Sequence, residues 1–191
     1  MPAPASSTNP APSARQHPTK ARTDFLESGF AIIAQDGHAT GLTIARVCAL
    51  LGVSKGSFYW HFHNRDDYVR AMLDHWAATA QDQHHSRIGA EANGDLRRLV
   101  AGLIRFWQEG RFTVIDRAMR RWAEQDPIAA EAVANADLKL HKFLTRAFRD
   151  AGIKKKEAAR RARLLIALGV AEPSITHLPR PGVPLEELNW L

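Results

Sequence analysis

Between Leu42 and Asp67 the chain reads LTIARVCALLGVSKGSFYWHFHNRDD, and its densest chemistry is the run Ser54, Lys55, Gly56, Ser57, Tyr59, Trp60 and His61. An ammonium, two hydroxyls, a phenol, an indole and an imidazole supply hydrogen bonds and flat apolar surface. No carboxylate interrupts them. Such a set suits a polyanion better than a reaction. Lys55 offers charge to a phosphate or to guanine acceptors, and Ser57 reaches either kind of base edge. Gly56 lets the backbone come close, and Tyr59 can donate to a phosphate while packing on a sugar or a thymine methyl.

Catalytic alternatives find less support. The nine histidines invite a metal reading, with Asp82, His84 and His85, or His61 and His63, as ligands. His84 and His85 are neighbours, about 100° apart on a helix, and no H-E-x-x-H pair is present. There is no G-x-S-x-G elbow and no glycine-rich phosphate loop. The sequence is therefore read as that of a protein that is not an enzyme and needs no cofactor.

To present the Ser54–His61 run, two short helices must meet steeply across a tight turn. Thr43 precedes a helix over 44–51, Gly52 supplies the turn residue that tolerates positive φ, and Ser54 caps a second helix to about His61. Small Cys48 lies where the second helix crosses the first. Val47, Leu51, Val53, Phe58 and Phe62 are then the core that fixes the crossing. Lys55, Gly56, Ser57, Tyr59, Trp60 and His61 are left pointing outward, since one face cannot bury three consecutive residues.

The surrounding pattern is helical almost throughout. Leu26, Phe30, Ile33 and Ala34 form the stripe of a first helix that stops at Asp36-Gly37. Asn64 caps a long helix through Tyr68, Met72 and Trp76 to about Gln83, with 84–93 expected as a connection. Further stripes follow: Leu96, Leu99, Leu103 and Phe106; then Phe112, Ile115, Met119 and Trp122. From the Asp126-Pro127 start, a third carries Val133, Leu138, Leu144 and Phe148. A last helix begins near Lys154. Sustained alternation is absent, so the fold class is all-α.

Composition sets the outer bounds. The 191 residues carry 26 Lys and Arg against 20 Asp and Glu, a net +6, with 45% apolar residues and one cysteine. The longest apolar run, Leu164–Ala171, is far short of the roughly 18 residues of a membrane span. No membrane association is expected, and no disulfide framework. MPAPASSTNPAPS has no apolar core of a secretory signal, so a cytoplasmic location is expected. Residues 1–19 hold five of the ten prolines and no aromatic, Leu, Ile or Val, and are read as a disordered tail. Its Arg15, with Lys20 and Arg22, could touch phosphates, but a merely solvated tail is the reading the composition favours.

Over Leu42–Asp67 the sequence resembles the DNA-binding domain of TetR-type transcriptional repressors. Gly52, Val53, Ser54, Lys55, Gly56, Ser57, Phe58, Tyr59, His61, Phe62, Arg65 and Asp66 match its pattern, and the later helices match in number and order. The resemblance implies a helix-turn-helix whose second helix enters the major groove. It also implies DNA contact or approach by Thr43, Ser54, Lys55, Gly56, Ser57, Tyr59, Trp60, His61 and Arg65. Cys48 stands where alanine is usual. Ala45 replaces an arginine that reads bases in some members, so fewer contacts are expected from the first helix.

The implied organisation is a three-helix DNA-binding domain at 20–66, with its helix-turn-helix at about 43–62, and a helical-bundle ligand-binding and dimerisation domain at 67–180. Residues 181–191 would be a tail or a short helix. The implied function is a regulator, leaning to repression, that binds a palindromic operator on double-stranded DNA as a homodimer and is released by a small-molecule effector. Its rivals are a helical dimerisation protein without DNA binding and a metal-dependent α-helical enzyme.

Trp76, Phe106, Trp107, Met119, Trp122 and Phe143 are the candidates for an apolar effector pocket, with His141 to orient a polar group. Each is equally at home in a plain core. The 164–171 run is apolar on every side of a helix, so one side is expected to meet a second copy through Leu164, Leu165, Leu168 and Ala171. Lys154, Lys155 and Lys156 stand at a helix start, the wrong sign for its dipole, and the sequence suggests no role for them.

Overall fold

Four helices begin at the side chains that the sequence offers as caps. Thr43 Oγ1 accepts from the Arg46 amide at 3.2 Å to open α2 (Ile44–Leu51), and Ser54 Oγ from the Ser57 amide at 3.4 Å to open α3 (Lys55–His61). Asn64 Oδ1 accepts from the Asp67 amide at 2.8 Å at the head of α4 (Arg65–His75). Asp126 Oδ1 takes the amides of Ile128 and Ala129 at 2.8 and 3.2 Å, with Pro127 first in α8 (Pro127–Asp150). In each case a short polar oxygen satisfies donors that the first helical turn leaves over. The computed structural model describes residues 20–108 and 110–171. The expected tails at 1–19 and 181–191, and the end of the 67–180 domain, lie outside the described residues.

The other elements are α1 (Arg22–Asp36), α5 (His84–Ala92), α6 (Leu96–Gln108), α7 (Gly110–Ala123) and α9 (Lys155–Ala171). All regular structure among the described residues is helical. None of these helices is long and apolar enough to cross a membrane. Between α4 and α5 the helix continues in the wider π form over Trp76–Gln83. The connection expected at 84–93 is instead α5, because His85, Ile88 and Ala92 form a buried stripe that polar neighbours disguise. The chain turns only at Asn93 and Gly94, both at positive φ.

Two cores fill the molecule. The first runs from Phe25, Ile33, Val47, Phe58 and Phe62 through Met72 and Trp76 to Met119, Trp122, Ala129 and Val133. Residues on both sides of position 66 therefore share one core, and α4 is buried against the N-terminal helices and α8 together. The second core gathers Ile88, Val100, Leu103 and Trp107 with Leu144, Phe148, Ala162 and Leu165. One expected core residue is misplaced: Leu138 is 55% exposed. It falls off the stripe of Ala136, Leu140, Leu144 and Phe148 that α8 buries.

Candidate nucleic-acid interface

Gly52 adopts φ 67°, ψ 33°, the left-handed conformation that ends α2 within one residue. The Val53 amide then donates to the Cys48 carbonyl at 3.0 Å and closes the turn. Cys48 is buried at the crossing, and that burial pushes its thiol pKa up. Beneath α3, Phe58 and Phe62 lie 5.2 Å apart, and Tyr68 sits 5.3 and 5.0 Å from them. This aromatic plate fixes the direction in which α3 faces.

On the outer side Trp60 is 82% exposed and Tyr59 54%. Lys55, Gly56 and Ser54 are exposed and Ser57 is half-buried. Tyr59 is braced edge-on against Phe58 at 5.6 Å. A Cβ added to Gly56 would meet nothing closer than Ser54 Oγ at 3.5 Å, so the chain's own packing does not require glycine there. The Ser54 and Ser57 hydroxyl oxygens are 3.4 Å apart.

Four of the expected contact residues also have structural tasks, Ser54 among them as the cap of α3. The expectation that the His61 imidazole is bare is corrected. Its Nε2 donates to the Lys20 carbonyl at 3.0 Å and its ring lies 5.2 Å from that of Phe25. At the end of a seven-residue helix the side chain turns back to the segment entering α1. Arg65 Nε donates to the Leu42 carbonyl at 3.3 Å, although the side chain is partly exposed. Thr43 is exposed while it caps α2. Arg22, one of the cations weighed for phosphate contact, holds its guanidinium 4.9 Å from the centre of the Phe62 ring.

Sequence reading missed two features of α2. Arg46 is clamped by both carboxylate oxygens of Asp36, which holds that carboxyl below its ordinary range. A partner ten residues upstream leaves no local signal. Leu50, an apolar residue in an amphipathic helix, is nevertheless 57% exposed.

The aromatic and methionine effector candidates divide between the two cores. Trp76, Met119 and Trp122 lie in the first core, and Trp107 in the second. Trp122 Nε1 donates to Asp126 at 3.1 Å. The Trp76 indole N–H is buried with no hydrogen-bond acceptor among the described residues. Phe106 stacks on His84 at 4.8 Å, and His141 Nε2 donates to the Ala159 carbonyl at 3.0 Å, tying α8 to α9. Only Phe143 of the set lines the cavity of about 360 Å³ bounded by Ser86, Gly89, Leu96, Leu99 and Ala147, with Asp95 and Asp150 also on its wall.

Of the expected dimer residues, Leu164 and Leu168 are 46% and 53% exposed and Ala171 is exposed. Leu165 is corrected: at 1% exposure it belongs to its own protomer's core. Leu138 joins the exposed set instead.

Residues 25–72 match the model of the bacterial regulatory proteins of the tetR family. The chain is 32% identical over 60 residues to the HTH-type transcriptional regulator TtgR of Pseudomonas putida, covering 31% of this chain and 28% of that one. It is 32% identical over 78 residues to the tetracycline repressor protein class A from transposon 1721 of Escherichia coli, covering 41% and 34%. The match to the first of these relatives thus spans less than a third of its length. Among solved structures, a transcriptional regulator from Rhodococcus sp. Rha1 superposes with TM-score 0.69 at 21% identity over 81% of this chain and 82% of that one. Reduced NemR of E. coli gives 0.64 at 18% identity over 86% and 92%. These likenesses show a shared fold.

Proposed function

We propose, from the match of residues 25–72 to the tetR family of bacterial regulatory proteins, that this chain is a transcriptional repressor that binds a palindromic operator as a homodimer and leaves it on binding a small molecule. The observation that carries the reading is the bare outer side of α3. Lys55, Tyr59 and an 82% exposed Trp60 stand on a helix locked from behind by Phe58 and Phe62. Two neighbouring rings, Tyr59 and Trp60, both left in water on one short helix form an apolar patch of the kind that marks an interaction surface.

In this reading α3 enters the major groove with its first turn against base edges, and α2 crosses the phosphate backbone. Lys55, Gly56, Ser57, Tyr59 and Trp60 make the closest approach, with Thr43, Ser54 and Arg65 at the phosphates. His61 acts from behind, by holding the segment before α1. Two copies meet through Leu138, Leu164, Leu168 and Ala171, which sets two heads roughly 34–36 Å apart, one turn of duplex.

Release follows from the shared core. Since α4 packs with α1 of the reading head and with α8 at once, a ligand that moves α4 shifts both heads. Coupling of about 1–3 kcal/mol, or 5–150-fold in affinity, is sufficient. The protein works where the DNA is, in the cytoplasm. Selection of bound duplexes from a random pool tests the reading. A palindromic consensus is expected, and a pool that shows no enrichment overturns it.

A further inference from the structure

The chain's positive charge is not where operator binding would put it. Residues 139–163 carry ten lysines and arginines against two acids, a local +8, whereas the whole chain carries +6. Everything outside residues 139–163 is therefore at −2. The reading head, residues 20–66, has five cations and four acids. The excess sits on the α8–α9 hairpin, around the turn that joins the two helices.

Six of these ten cations are exposed in a group around the turn. Lys142, Arg146 and Arg149 on α8, and Lys154, Lys155 and Lys156 at the start of α9, are all exposed. Asp150 approaches Arg146 only at 3.8 Å, and Glu157 is occupied by Arg160 and Arg161. The arrangement works against the fold. Three lysines at a helix start oppose its dipole, and Lys142 and Arg146 are like charges one turn apart.

Its position excludes the operator as the partner. The N-terminal end of α8 shares the first core with the head through Ala129 and Val133, while Leu144 and Phe148 belong to the second core. From Ala129 to Arg149 the helix runs about 30 Å. The hairpin also has no apolar face to lay into a lipid surface near the turn, because Leu140, Leu144, Phe148, Ala158 and Ala162 are all buried inside it. The exposed leucines, Leu138, Leu164 and Leu168, lie toward the open end, away from the turn. Two copies joined through them leave the cations to another partner.

We propose that the turn end of the α8–α9 hairpin is a second, sequence-independent contact for duplex DNA, so that one dimer holds a further duplex while its reading heads occupy the operator. A dense strip of Lys and Arg, with few acids among them and no base-reading geometry, is what a phosphate backbone requires.

The test uses the full chain in two variants. Lys55→Ala/Tyr59→Ala disables the head, and Lys142→Glu/Arg149→Glu/Lys155→Glu/Arg163→Glu reverses the hairpin. A labelled duplex of scrambled sequence is titrated against each, and its capture on immobilised operator by the intact protein is read separately. The head variant is expected to keep scrambled-duplex binding, weakening about 100-fold between about 50 and 200 mM salt, as four phosphate contacts dictate. The hairpin variant is expected to hold operator as the intact protein does, yet to lose capture of the second duplex, with its melting and sedimentation unchanged. Loss of all duplex binding in the head variant overturns the proposal. So does capture that survives charge reversal, or tighter binding to vesicles rich in phosphatidylglycerol than to the scrambled duplex. The capture arm rests on the repressor reading; a failed operator selection would sink that reading and leave the scrambled-duplex titration to decide whether the hairpin binds DNA.

Discussion

The Tyr68 hydroxyl donates a 2.7 Å hydrogen bond to the Phe25 carbonyl oxygen, joining α4 to α1 inside the first core. Burial raises the phenol's pKa and keeps it a donor. Gly29 lies directly against that hydroxyl, and a Cβ there would collide with it. The seam between the reading head and its lever is thus a hydroxyl fitted to a missing side chain.

Tyr68→Phe should cost about 1 kcal/mol, the typical net value of one hydrogen bond, and lower the melting temperature by about 2–4 °C. Gly29→Ala should cost about 1–3 kcal/mol through overpacking, although alanine is the better helix former. Thermal melts of both and of the double variant check this. The alanine should be tolerated better when the hydroxyl is gone, and strict additivity would refute the fit.

Gly56→Ala separates stability from function. The site is exposed in the first turn of α3 and has room for a methyl group. The substitution should raise stability by about 0.5–1 kcal/mol, while pushing the backbone off the duplex and weakening operator binding. A variant that melts higher and still binds operator as tightly would show that no close approach occurs there.

The helix-turn-helix was readable from sequence because its determinants are local. Thr43, Gly52, Ser54 and Asn64 act within four residues of themselves, and the Phe58–Phe62 spacing places both rings on one side. His61 was misread because its acceptor, the Lys20 carbonyl, is 41 residues away. The Asp36–Arg46 clamp escaped notice for the same reason. The helix at 84–92 hid behind polar neighbours, and Leu165 differs from Leu164 only in which side of α9 meets α8. The aromatics of the C-terminal half divide between two cores by tertiary packing, which hydrophobic spacing alone does not encode.

His61 and Tyr59, two positions apart, should therefore respond oppositely. Tyr59→Ala removes an exposed ring and should leave the melting temperature within about 2 °C, since surface changes stay near ±0.5 kcal/mol, while operator affinity falls. His61→Ala frees the Lys20 segment and unpacks Phe25, so it should lower stability by about 1–2 kcal/mol. Calorimetry and an operator titration on the two proteins decide it. Equal stability losses would make Tyr59 structural.

Leu164 and Leu165 offer a matching contrast for assembly. Leu164→Asp places a charge on an exposed surface and should yield a folded monomer by sedimentation. Leu165→Asp buries an unpaired carboxylate in the second core and should unfold the chain or destabilise it by several kcal/mol. If Leu164→Asp and Leu138→Asp both remain dimeric, the exposed leucines do not form the contact.

Glu157 sets the acid limb of the hairpin's stability. Hydrogen bonds from Arg160 and Arg161 hold its carboxyl at about 2, against an ordinary 4.5. A carboxylate whose pKa is lowered by folding stabilises the native state above the unfolded value and loses that contribution as protons bind. The contribution should therefore be complete above pH 4.5 and fade down to about 2. Glu157→Gln should melt lower than the parent protein at neutral pH, and the gap should close across that window in a series of melts. A gap that stays constant from neutral pH to the acid end would mean the ionised pair contributes nothing. The same variant raises the hairpin's positive charge by one, so at neutral pH it should bind scrambled duplex more tightly, with a steeper dependence on salt.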